Sequence, residues 1–283
     1  MENLGEKRLG LIGARSFVGE RLTQLLKEEE YRAVSFSRRG GEGNISLAGP
    51  VANNVDRIEV WICLAPIWTL PEHFQLLEKY GIKRLVALSS TSRYTKIKSF
   101  SPACRDVAVQ LKEGEERVLQ WAVNKGVDAV ILQPTLIYGW GKDKNVSQIA
   151  RFIRRFGFFP LLGKGEGLRQ PLHVDDLAEA CLSTLKVTEV KRNKYILSGG
   201  EVLPYRTMVE RIFIALDRKP RFVKCPLLIF SFAVRLAHIL SFHGISTEMA
   251  VRMNKDQHFD HSDAAVDLGF RPRPFQPGSS DCM

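Results

Sequence analysis

The chain has 283 residues, of which 45% are hydrophobic, and it carries a formal net charge of +10. These values predict a folded globular protein with one large domain or two modest ones. The positive charge favours anionic partners. However, the basic residues are spread along the chain without a nucleic-acid-binding motif, so nucleic acid is not expected as a partner.

The five cysteines are scattered along the chain without a CxxC pair, at Cys63, Cys104, Cys181, Cys225 and Cys282. The first residues contain no apolar signal segment. Both features predict a protein of the reducing cytoplasm. They speak against a disulfide framework and against a cysteine zinc site.

The first strand is predicted at 9–12, and a glycine-containing turn and an amphipathic helix follow it. N–H groups at the start of such a helix bind the phosphates of a dinucleotide, and glycines let the phosphates approach the backbone. The alternative is an ordinary strand, turn and helix. The turn residues predicted to contact a dinucleotide are Gly13, Arg15, Ser16, Phe17, Val18 and Gly19. Ser16 stands where the motif's middle glycine belongs.

The second strand, predicted at 33–37, is followed by Arg38 and Arg39. At this position an NAD site carries a carboxylate for the ribose hydroxyls, whereas guanidinium groups suit the 2′-phosphate of NADP. The two arginines therefore predict NADP as the cofactor in preference to NAD, and Arg15 in the turn could assist them. The alternative is that they are solvated surface residues.

Four further segments, at 60–65, 85–91, 129–132 and 195–197, are predicted as strands that alternate with helices. One helix is predicted to start near Pro71, and a long one to span about 103–124. This alternation predicts an α/β fold with a doubly wound parallel sheet of the Rossmann type.

The strand predicted at 85–91 ends in three hydroxyl residues, Ser89, Ser90 and Thr91. Ligands of open α/β sheets bind at the carboxyl edge of the strands. We therefore expect a ligand to lie next to these hydroxyl groups.

Beyond Pro134 the pattern changes to a basic helix at 147–156 and a glycine-rich loop at 163–167. We predict a dinucleotide-binding domain at 1–140, to which 173–199 returns. A smaller, mostly helical substrate-binding region is predicted at 141–172 and 200–283. Asp175 is predicted to cap a helix, and the proline-rich end of the chain is expected to be frayed.

Several of these motifs together resemble the NAD-dependent epimerase/dehydratase family, the extended short-chain dehydrogenase/reductases. The motifs are the glycine turn, the hydroxyl-rich strand end, Tyr138-Gly139 and His173-Val174-Asp175-Asp176. The resemblance covers Leu9 to Leu185, and Asp263 to Pro274 looks like the family's closing stretch. It implies a Rossmann fold, cofactor contacts at Leu64, Ala65 and Pro134, and substrate contacts at Tyr138 and Arg169.

The family's chemistry uses a Tyr-x-x-x-Lys pair and a Ser or Thr, which move a proton while a hydride passes to or from the nicotinamide. The resemblance puts the hydroxyl at Thr91. It puts the lysine at Lys112, which is followed four residues on by Glu116. The tyrosine then falls on Ala108, so the usual catalytic tyrosine is missing.

Two substitutes for that tyrosine remain open. A literal Tyr-x-x-x-Lys match begins at Tyr94, which lies ahead of the long helix but could reach the cleft. Lys112 alone could act as a base or hold the nicotinamide ribose, as in tyrosine-lacking relatives similar to the isoflavone-reductase group. The alternative for Lys112 is an ordinary surface lysine.

Other charged and apolar stretches allow two interpretations each. The basic residues Arg151, Arg154, Arg155, Lys164 and Arg169 form either a cationic wall for a phosphate or diphosphate, or a solvated face. His258 and His261 lack a third ligand nearby, so no metal is expected. Residues 226–242 are too short for a spanning helix and are predicted as a core helix, with a helix on a membrane surface as the alternative.

The sequence thus predicts an NADP-dependent oxidoreductase or epimerase that acts on a small phosphorylated or nucleotide-linked substrate by reversible hydride transfer. The alternative is an NADP-binding protein without catalysis that serves as a redox sensor or assembly factor. Fold alone does not separate the two hypotheses. A homodimer is left open.

Overall fold

The computed structural model describes residues 7–38, 40, 41, 43–48, 56–224 and 253–283. The strands are β1 (Arg8–Ile12), β2 (Arg32–Ser37), β3 (Asn44–Ser46), β4 (Val60–Cys63), β5 (Arg84–Leu88), β6 (Asp128–Pro134), β7 (Ile137–Tyr138), β8 (Phe159–Leu161), β9 (Leu168–Arg169), β10 (Leu172–His173), β11 (Lys194–Leu197), β12 (Leu203–Pro204) and β13 (Phe222–Lys224). The helices are α1 (Phe17–Glu28), α2 (Phe74–Lys79), α3 (Ser92–Thr95), α4 (Pro102–Lys125), α5 (Val146–Phe156), α6 (Val174–Lys186), α7 (Tyr205–Ala215) and α8 (Ser262–Leu268), with short 3₁₀ helices at Ile67–His73 and Ser280–Cys282.

Seven strands form one sheet in the order β11-β6-β5-β4-β1-β2-β3, and every neighbouring pair is parallel. The chain builds outward from β1 in one direction and then from β4 in the other. This confirms the predicted doubly wound sheet. It also places the point where the strand order reverses between β1 and β4, where ligands of such sheets bind.

Helices cover both faces of the sheet because its central strands are apolar on both sides. On one face α1, α6 and α8 pack through residues such as Leu22, Leu177 and Leu268. On the other face α2 and α4 pack through residues such as Leu77 and Val118. Burial on both faces explains why the strand sequences are continuous apolar runs.

Gly10 in β1 makes room for the largest buried side chain of the sheet. A Cβ atom at Gly10 would lie 2.3 Å from Trp61 Cε3 in the neighbouring strand β4. The Trp61 ring is fully buried, packs 4.7 Å from the Phe36 ring, and its Nε1 donates to the Ile58 carbonyl at 2.7 Å. A glycine at this position is therefore a packing requirement of the sheet.

A further apolar cluster gathers residues that follow β6 in the sequence. It contains Ile149 and Ile153 of α5, Met208 and Ile212 of α7, and Phe275 near the end of the chain. Together these residues form a packed body beside the carboxyl edge of the sheet.

The end of the chain is packed against the protein, so the expectation of a frayed terminus is wrong. Phe275 and Cys282 are fully buried. Asp281 accepts from the backbone N–H of Trp140 at 3.0 Å and of Gly278 at 2.9 Å. The prolines prevent a helix, but they allow an extended strap whose side chains fill the cluster around α5.

Two helix starts differ from the prediction. His173 caps α6, because its Nδ1 accepts from the Asp175 N–H at 3.2 Å, whereas Asp175 pairs with Arg21 at 2.9 Å. Pro71 lies within the 3₁₀ helix, and α2 begins only at Phe74.

No helix in the described ranges combines the length and the apolar character needed to cross a bilayer. The predicted helix at 226–242 lies outside the described residues.

Candidate functional site

The glycine turn after β1 has the geometry that a phosphate site needs. Gly13 has a φ of +90°, which favours glycine, and a Cβ there would lie 3.1 Å from the Ala65 backbone N. A Cβ at Gly19 would lie 2.3 Å from the Gly13 carbonyl oxygen. Glycine at these two positions therefore keeps the turn close to both β4 and α1.

Ser16 caps the helix that the turn starts. Its Oγ accepts from the Gly19 N–H at 3.1 Å, and its own N–H donates to the Gly13 carbonyl at 2.9 Å. Serine is a favoured capping residue, so the loss of the middle glycine is compatible with a regular helix start. The side chains of Phe17 and Arg15 lie beside this start, half-buried and exposed respectively.

The end of β2 carries a polar group that has no partner in the described part of the chain. The Ser37 hydroxyl is buried without a hydrogen bond there. Arg38 follows it and is exposed, and Arg39 lies outside the described residues. Because buried hydroxyls are normally hydrogen-bonded, Ser37 is a place where a ligand could supply the missing partner.

A cleft of about 470 Å³ opens at the carboxyl edge of the sheet. Residues that follow the ends of β1, β5 and β6 line it, among them Phe17, Thr91 and Thr135. Its hydroxyl residues are Ser90, Thr91, Ser92, Thr95, Ser99 and Thr135, and its basic residues are Lys96, Lys98, Lys142, Lys144, Arg169 and Lys255. The cleft therefore combines hydroxyl groups with a concentration of positive charge.

Thr91 lies at the cleft with its hydroxyl already engaged. Its Oγ1 donates to the Pro134 carbonyl at 3.1 Å, and its N–H donates to the same oxygen at 3.1 Å. The side chain is buried. Because the Thr91 hydroxyl hydrogen is used in this bond, the hydroxyl oxygen can only accept a hydrogen bond from a ligand.

A buried carboxylate lies beneath these hydroxyls. Glu115 of α4 is fully buried and accepts from Ser89 Oγ at 2.5 Å and from Gln133 Nε2 at 2.8 Å. Its other oxygen contacts the Arg93 guanidinium and lies 3.4 Å from Lys194 Nζ. Sequence reasoning missed this network. The available signal was a glutamate on the apolar face of α4, between Leu111 and Val118.

Tyr94 lies on the short helix α3 next to the cleft. Its hydroxyl donates to Gln133 Oε1 at 3.2 Å, and Gln133 in turn donates to Glu115. The Tyr94 ring is 6.0 Å from the ring of Phe259, which lines the cleft, and Arg93 lies 5.1 Å from its centre. The structure thus connects Tyr94 to the buried network and to the cleft wall.

The structure does not bring Lys112 to the cleft. Its side chain is 59% exposed on the outer face of α4, where it lies 3.9 Å from Glu116. Ala108, one turn earlier, is buried in the protein interior. The glutamate that follows the family's lysine by four residues could also be the buried Glu115 in place of Glu116. The lysine and tyrosine positions would then be Leu111 and Val107, which cannot ionise.

Tyr138 also lies away from the cleft. It is buried with its ring 5.0 Å from that of His173 and 4.9 Å from that of Phe275. Burial, together with the nearby carboxylates of Asp281 and Asp176, raises the pKa of the Tyr138 hydroxyl above its ordinary value. The expected substrate contact is therefore corrected to a packing role, because β7 directs this side chain into the cluster around α5.

Arg169 does line the cleft, although it is buried and firmly held. Its Nη1 donates to the carbonyls of Leu168 at 2.6 Å and of Lys255 at 2.8 Å, and its guanidinium lies 5.5 Å from the Tyr205 ring centre. Of the five basic residues in the proposed cationic wall, only Arg169 lines the cleft in the described structure. The remaining basic lining comes from lysines such as Lys142, which pairs with Glu20 of α1.

Three residues remain that the resemblance predicts as cofactor contacts, Leu64, Ala65 and Pro134. Leu64 and Ala65 lie against Gly13, with the Leu64 N–H donating to the Ile12 carbonyl at 2.8 Å. Pro134 is buried at the end of β6.

The two histidines that are spaced like paired ligands lie apart from each other in their contacts. His261 contacts Ser198 Oγ at 2.7 Å, and His258 is exposed. The described residues contain no cluster that could hold a metal ion.

The doubly wound sheet, the glycine turn and the cleft at the strand ends define a dinucleotide-binding protein of the Rossmann class. Within that class, residues 73–197 match the model of the NAD dependent epimerase/dehydratase family. The match confirms the resemblance drawn from the sequence, over the segment that links α2 to β11.

Curated relatives match only parts of the chain. A mitochondrial NADH dehydrogenase [ubiquinone] 1 alpha subcomplex subunit 9 of Arabidopsis thaliana is 32% identical over 113 residues, which are 40% of this chain and 27% of that protein. A UDP-glucose 4-epimerase of Vibrio cholerae is 21% identical over 113 residues, or 40% of this chain and 34% of that enzyme. The matches thus span about a third of the relatives' length.

Solved structures match the whole fold. The RMD protein from Pseudomonas aeruginosa, complexed with NADPH, superimposes with a TM-score of 0.68 at 17% identity, covering 98% of this chain and 97% of that one. The UDP-glucose 4-epimerase from Thermotoga maritima, with UDP-glucose, gives a TM-score of 0.62 at 17% identity, covering 94% and 93%. At this identity the likeness shows the fold.

Proposed function

We propose that the chain is an NADP-dependent oxidoreductase or epimerase. Its substrate is a small phosphorylated or nucleotide-linked molecule, such as a nucleotide sugar, and its reaction is a reversible hydride transfer. The observation that carries the proposal is a cleft at the carboxyl edge of the sheet. Phe17, the first residue of the helix that follows the glycine turn, lines it together with Thr91 and a set of basic side chains.

The residues at the cofactor end fit an NADP molecule. Gly19 N–H is taken by Ser16, so the amides of Phe17 and Val18 would hold a phosphate at the start of α1. The unpartnered Ser37 hydroxyl and the exposed Arg38, with Arg39 next in sequence, would hold the 2′-phosphate where an NAD site carries an acid. When bound, the nicotinamide supplies or accepts the hydride.

The basic lining of the cleft supports an anionic substrate. Arg169 is fixed by two carbonyls and lines the cleft, and Lys255, whose carbonyl is one of them, lines it as well. Charge-assisted hydrogen bonds from such groups to phosphate oxygens are about twice as strong as neutral ones. The structural neighbours that are complexed with UDP-glucose and with NADPH support the same assignment.

We propose that Tyr94, which lies beside the cleft, transfers the proton, and that Thr91 is a hydrogen-bond acceptor that orients the substrate. Replacing a general acid or base typically lowers the rate by about 10²–10⁴-fold. We therefore expect Tyr94→Phe to reduce kcat by that factor with little change in NADPH binding. Lys112→Met, at an exposed lysine outside the cleft, serves as the matched control and should leave kcat within about twofold. Equal losses in both variants would contradict the assignment.

The missing tyrosine supports a second candidate, an NADP-binding protein without catalysis that serves as a redox sensor or assembly factor. Ala108 is buried and Lys112 faces outward, so the family's usual pair is absent in the described structure. The 32% identity over 113 residues with an alpha subcomplex subunit of NADH dehydrogenase [ubiquinone] favours the same interpretation.

One assay separates the two candidates. In one reaction the protein is incubated with NADPH that carries deuterium at the nicotinamide C4, together with UDP-, GDP- and dTDP-linked 4-keto sugars, which can accept the hydride. In a second reaction it is incubated with NADP⁺ and the corresponding 4-hydroxy sugars deuterated at C4, which can donate it, and sugars and cofactor are analysed by liquid chromatography and mass spectrometry. Protein-dependent transfer of deuterium in either direction, or formation of the C4 epimer, supports the enzyme. NADPH binding without either result supports the non-catalytic protein, and absence of NADPH binding contradicts both.

We further propose that the protein works in a reducing compartment. No disulfide bond joins the four cysteines of the described ranges, Cys63, Cys104, Cys181 and Cys282, to one another. Burial raises the pKa of the Cys63 and Cys181 thiols to about 12, so these two are unreactive core residues.

A further inference from the structure

The arginines of α5 lie on a surface that the cleft does not use. Arg151 and Arg155 are exposed one turn apart, and the side of the helix next to them carries Phe152 and the exposed Phe156. Phe158 follows the helix and packs 5.8 Å from the Phe152 ring. We refer to Arg151, Phe152, Arg155, Phe156 and Phe158 as the basic–aromatic face.

The aromatic rings of this face form one cluster at the surface. The Phe152 and Phe156 rings are 4.6 Å apart, and the Phe156 and Phe158 rings are 6.3 Å apart. The Arg155 guanidinium lies 5.4 Å from the centre of the Phe156 ring, which is half exposed. The exposed Phe156, packed on the half-buried Phe152 and Phe158 beside cations, is the kind of apolar surface feature that marks an interaction surface.

Positive charge is concentrated around the cluster. Hydrogen bonds join the segments 151–161 and 218–223, because Arg218 Nη1 donates to the Ile153 carbonyl at 2.9 Å and the Phe159 N–H donates to the Arg221 carbonyl at 2.9 Å. Together the two segments contain six basic residues and no acidic residue. The exposed Asp217 directly precedes the second segment, but basic residues outnumber acidic ones around the cluster, and this favours an anionic partner.

We propose that the basic–aromatic face docks on the surface of an anionic lipid bilayer. Arginine pairs with lipid phosphates, while phenylalanine side chains enter the boundary between head groups and acyl chains. A second copy of the chain is disfavoured at this face, since it would bring two positive surfaces together. Nucleic acid is disfavoured because base stacking needs open ring faces, and here the Phe156 ring has Arg155 over it and tilted rings beside it.

The test is co-sedimentation of the full chain with lipid vesicles. We expect binding to vesicles of phosphatidylcholine with about a third phosphatidylglycerol, none to phosphatidylcholine alone, and loss of binding in about 0.5 M salt. Arg151→Gln/Arg155→Gln should lower the partition coefficient about 30-fold, because each cation near such a surface contributes about 1 kcal/mol. Phe156→Ser should weaken binding while retaining its salt dependence.

Matched variants test whether the loss of charge or of an exposed apolar side chain elsewhere on the protein has the same effect. Lys27→Gln/Arg117→Gln removes the same charge from exposed positions on α1 and α4, and Val123→Ser removes an exposed apolar side chain from α4. Both should bind as the unmodified protein does, and all variants should melt at similar temperatures. Absence of binding to anionic vesicles, equal binding to neutral ones, or binding that survives both face variants would overturn the proposal. Binding to RNA in place of vesicles would also overturn it.

Discussion

At the scale of single residues, the least expected feature is the carboxylate of Glu115 in the protein interior. Two neutral donors, Ser89 and Gln133, donate hydrogen bonds to one of its oxygens. Two cations, Arg93 and Lys194, form ion pairs with the other oxygen. A buried charge persists only when it is paired and hydrogen-bonded in this way. Through Gln133 the same network holds the Tyr94 hydroxyl, so one buried glutamate fixes the residue to which proton transfer is assigned.

Removing this charge should be costly. Glu115→Gln leaves Arg93 and Lys194 without their carboxylate, and breaking a buried ion pair costs about 3–5 kcal/mol. Urea denaturation should show this loss in the free energy of unfolding. The neighbouring Glu116→Gln is the matched control, since that side chain is 56% exposed and its pair with Lys112 contributes about 0–1 kcal/mol. Similar small losses in both variants would show that the buried network does not stabilise the fold.

At the scale of elements, small residues set how closely strands and helices approach. Gly13 and Gly19 bring the turn against β4 and α1, and their role was predicted from the phosphate-site pattern. Gly10 was not singled out by that pattern, because the side chain that needs its space, Trp61, lies about fifty residues away in sequence. A sequence shows a local turn directly, whereas a contact between strands depends on their register.

Gly10→Ala should destabilise the protein through overpacking. The added methyl group would lie 2.3 Å from the Trp61 ring, and such insertions cost about 1–3 kcal/mol. In a Trp61→Leu background, which removes the ring, the additional cost of the alanine should fall below about 0.5 kcal/mol. The four proteins are compared by thermal denaturation. An alanine penalty that is the same in both backgrounds would exclude the ring as its cause.

At the scale of the whole molecule, the C-terminal strap joins the sheet to the cluster around α5. Asp281 contacts His173 at the start of α6 and the backbone of Trp140 after β7. Burial alone would raise the pKa of Asp281, but hydrogen bonds from His173, Gly278 and Trp140 outweigh it and hold the pKa below its ordinary value. The folded state therefore gains stability from ionised Asp281 above a pH of about 3.9, and loses it as the pH falls through the lowered pKa.

Asp281→Asn should remove this contribution. At pH 7 we expect a loss of about 1–3 kcal/mol in the free energy of unfolding, and the difference from the unmodified protein should shrink as the pH falls below about 4. Asp263→Asn, at an exposed ion pair with Arg192, is the control and should cost less than about 1 kcal/mol. A difference that stays constant down to pH 2 would contradict the role of the ionised carboxylate.

The sequence predicted the sheet, the glycine turn and the hydroxyl edge because each depends on local patterns, namely apolar runs, helical spacing and glycine positions. It misplaced what depends on contacts between distant segments. Tyr138 was expected in the cleft and is buried by Phe275, and Lys112 was expected at the cleft and lies on the outer face of α4. Lys255 lines the cleft because the folded chain brings it beside Arg169, and no local sequence pattern shows that contact.

The central proposal is that the protein binds NADP(H), with the end of β2 at the 2′-phosphate, and calorimetric titration tests it most directly. NADPH should bind the unmodified protein at least about tenfold more tightly than NADH, because charge-assisted bonds to the 2′-phosphate contribute about 1.5–3 kcal/mol. In the Arg38→Ala/Arg39→Ala variant the two affinities should become equal through weaker NADPH binding. Equal affinities for NADPH and NADH in the unmodified protein would contradict the account.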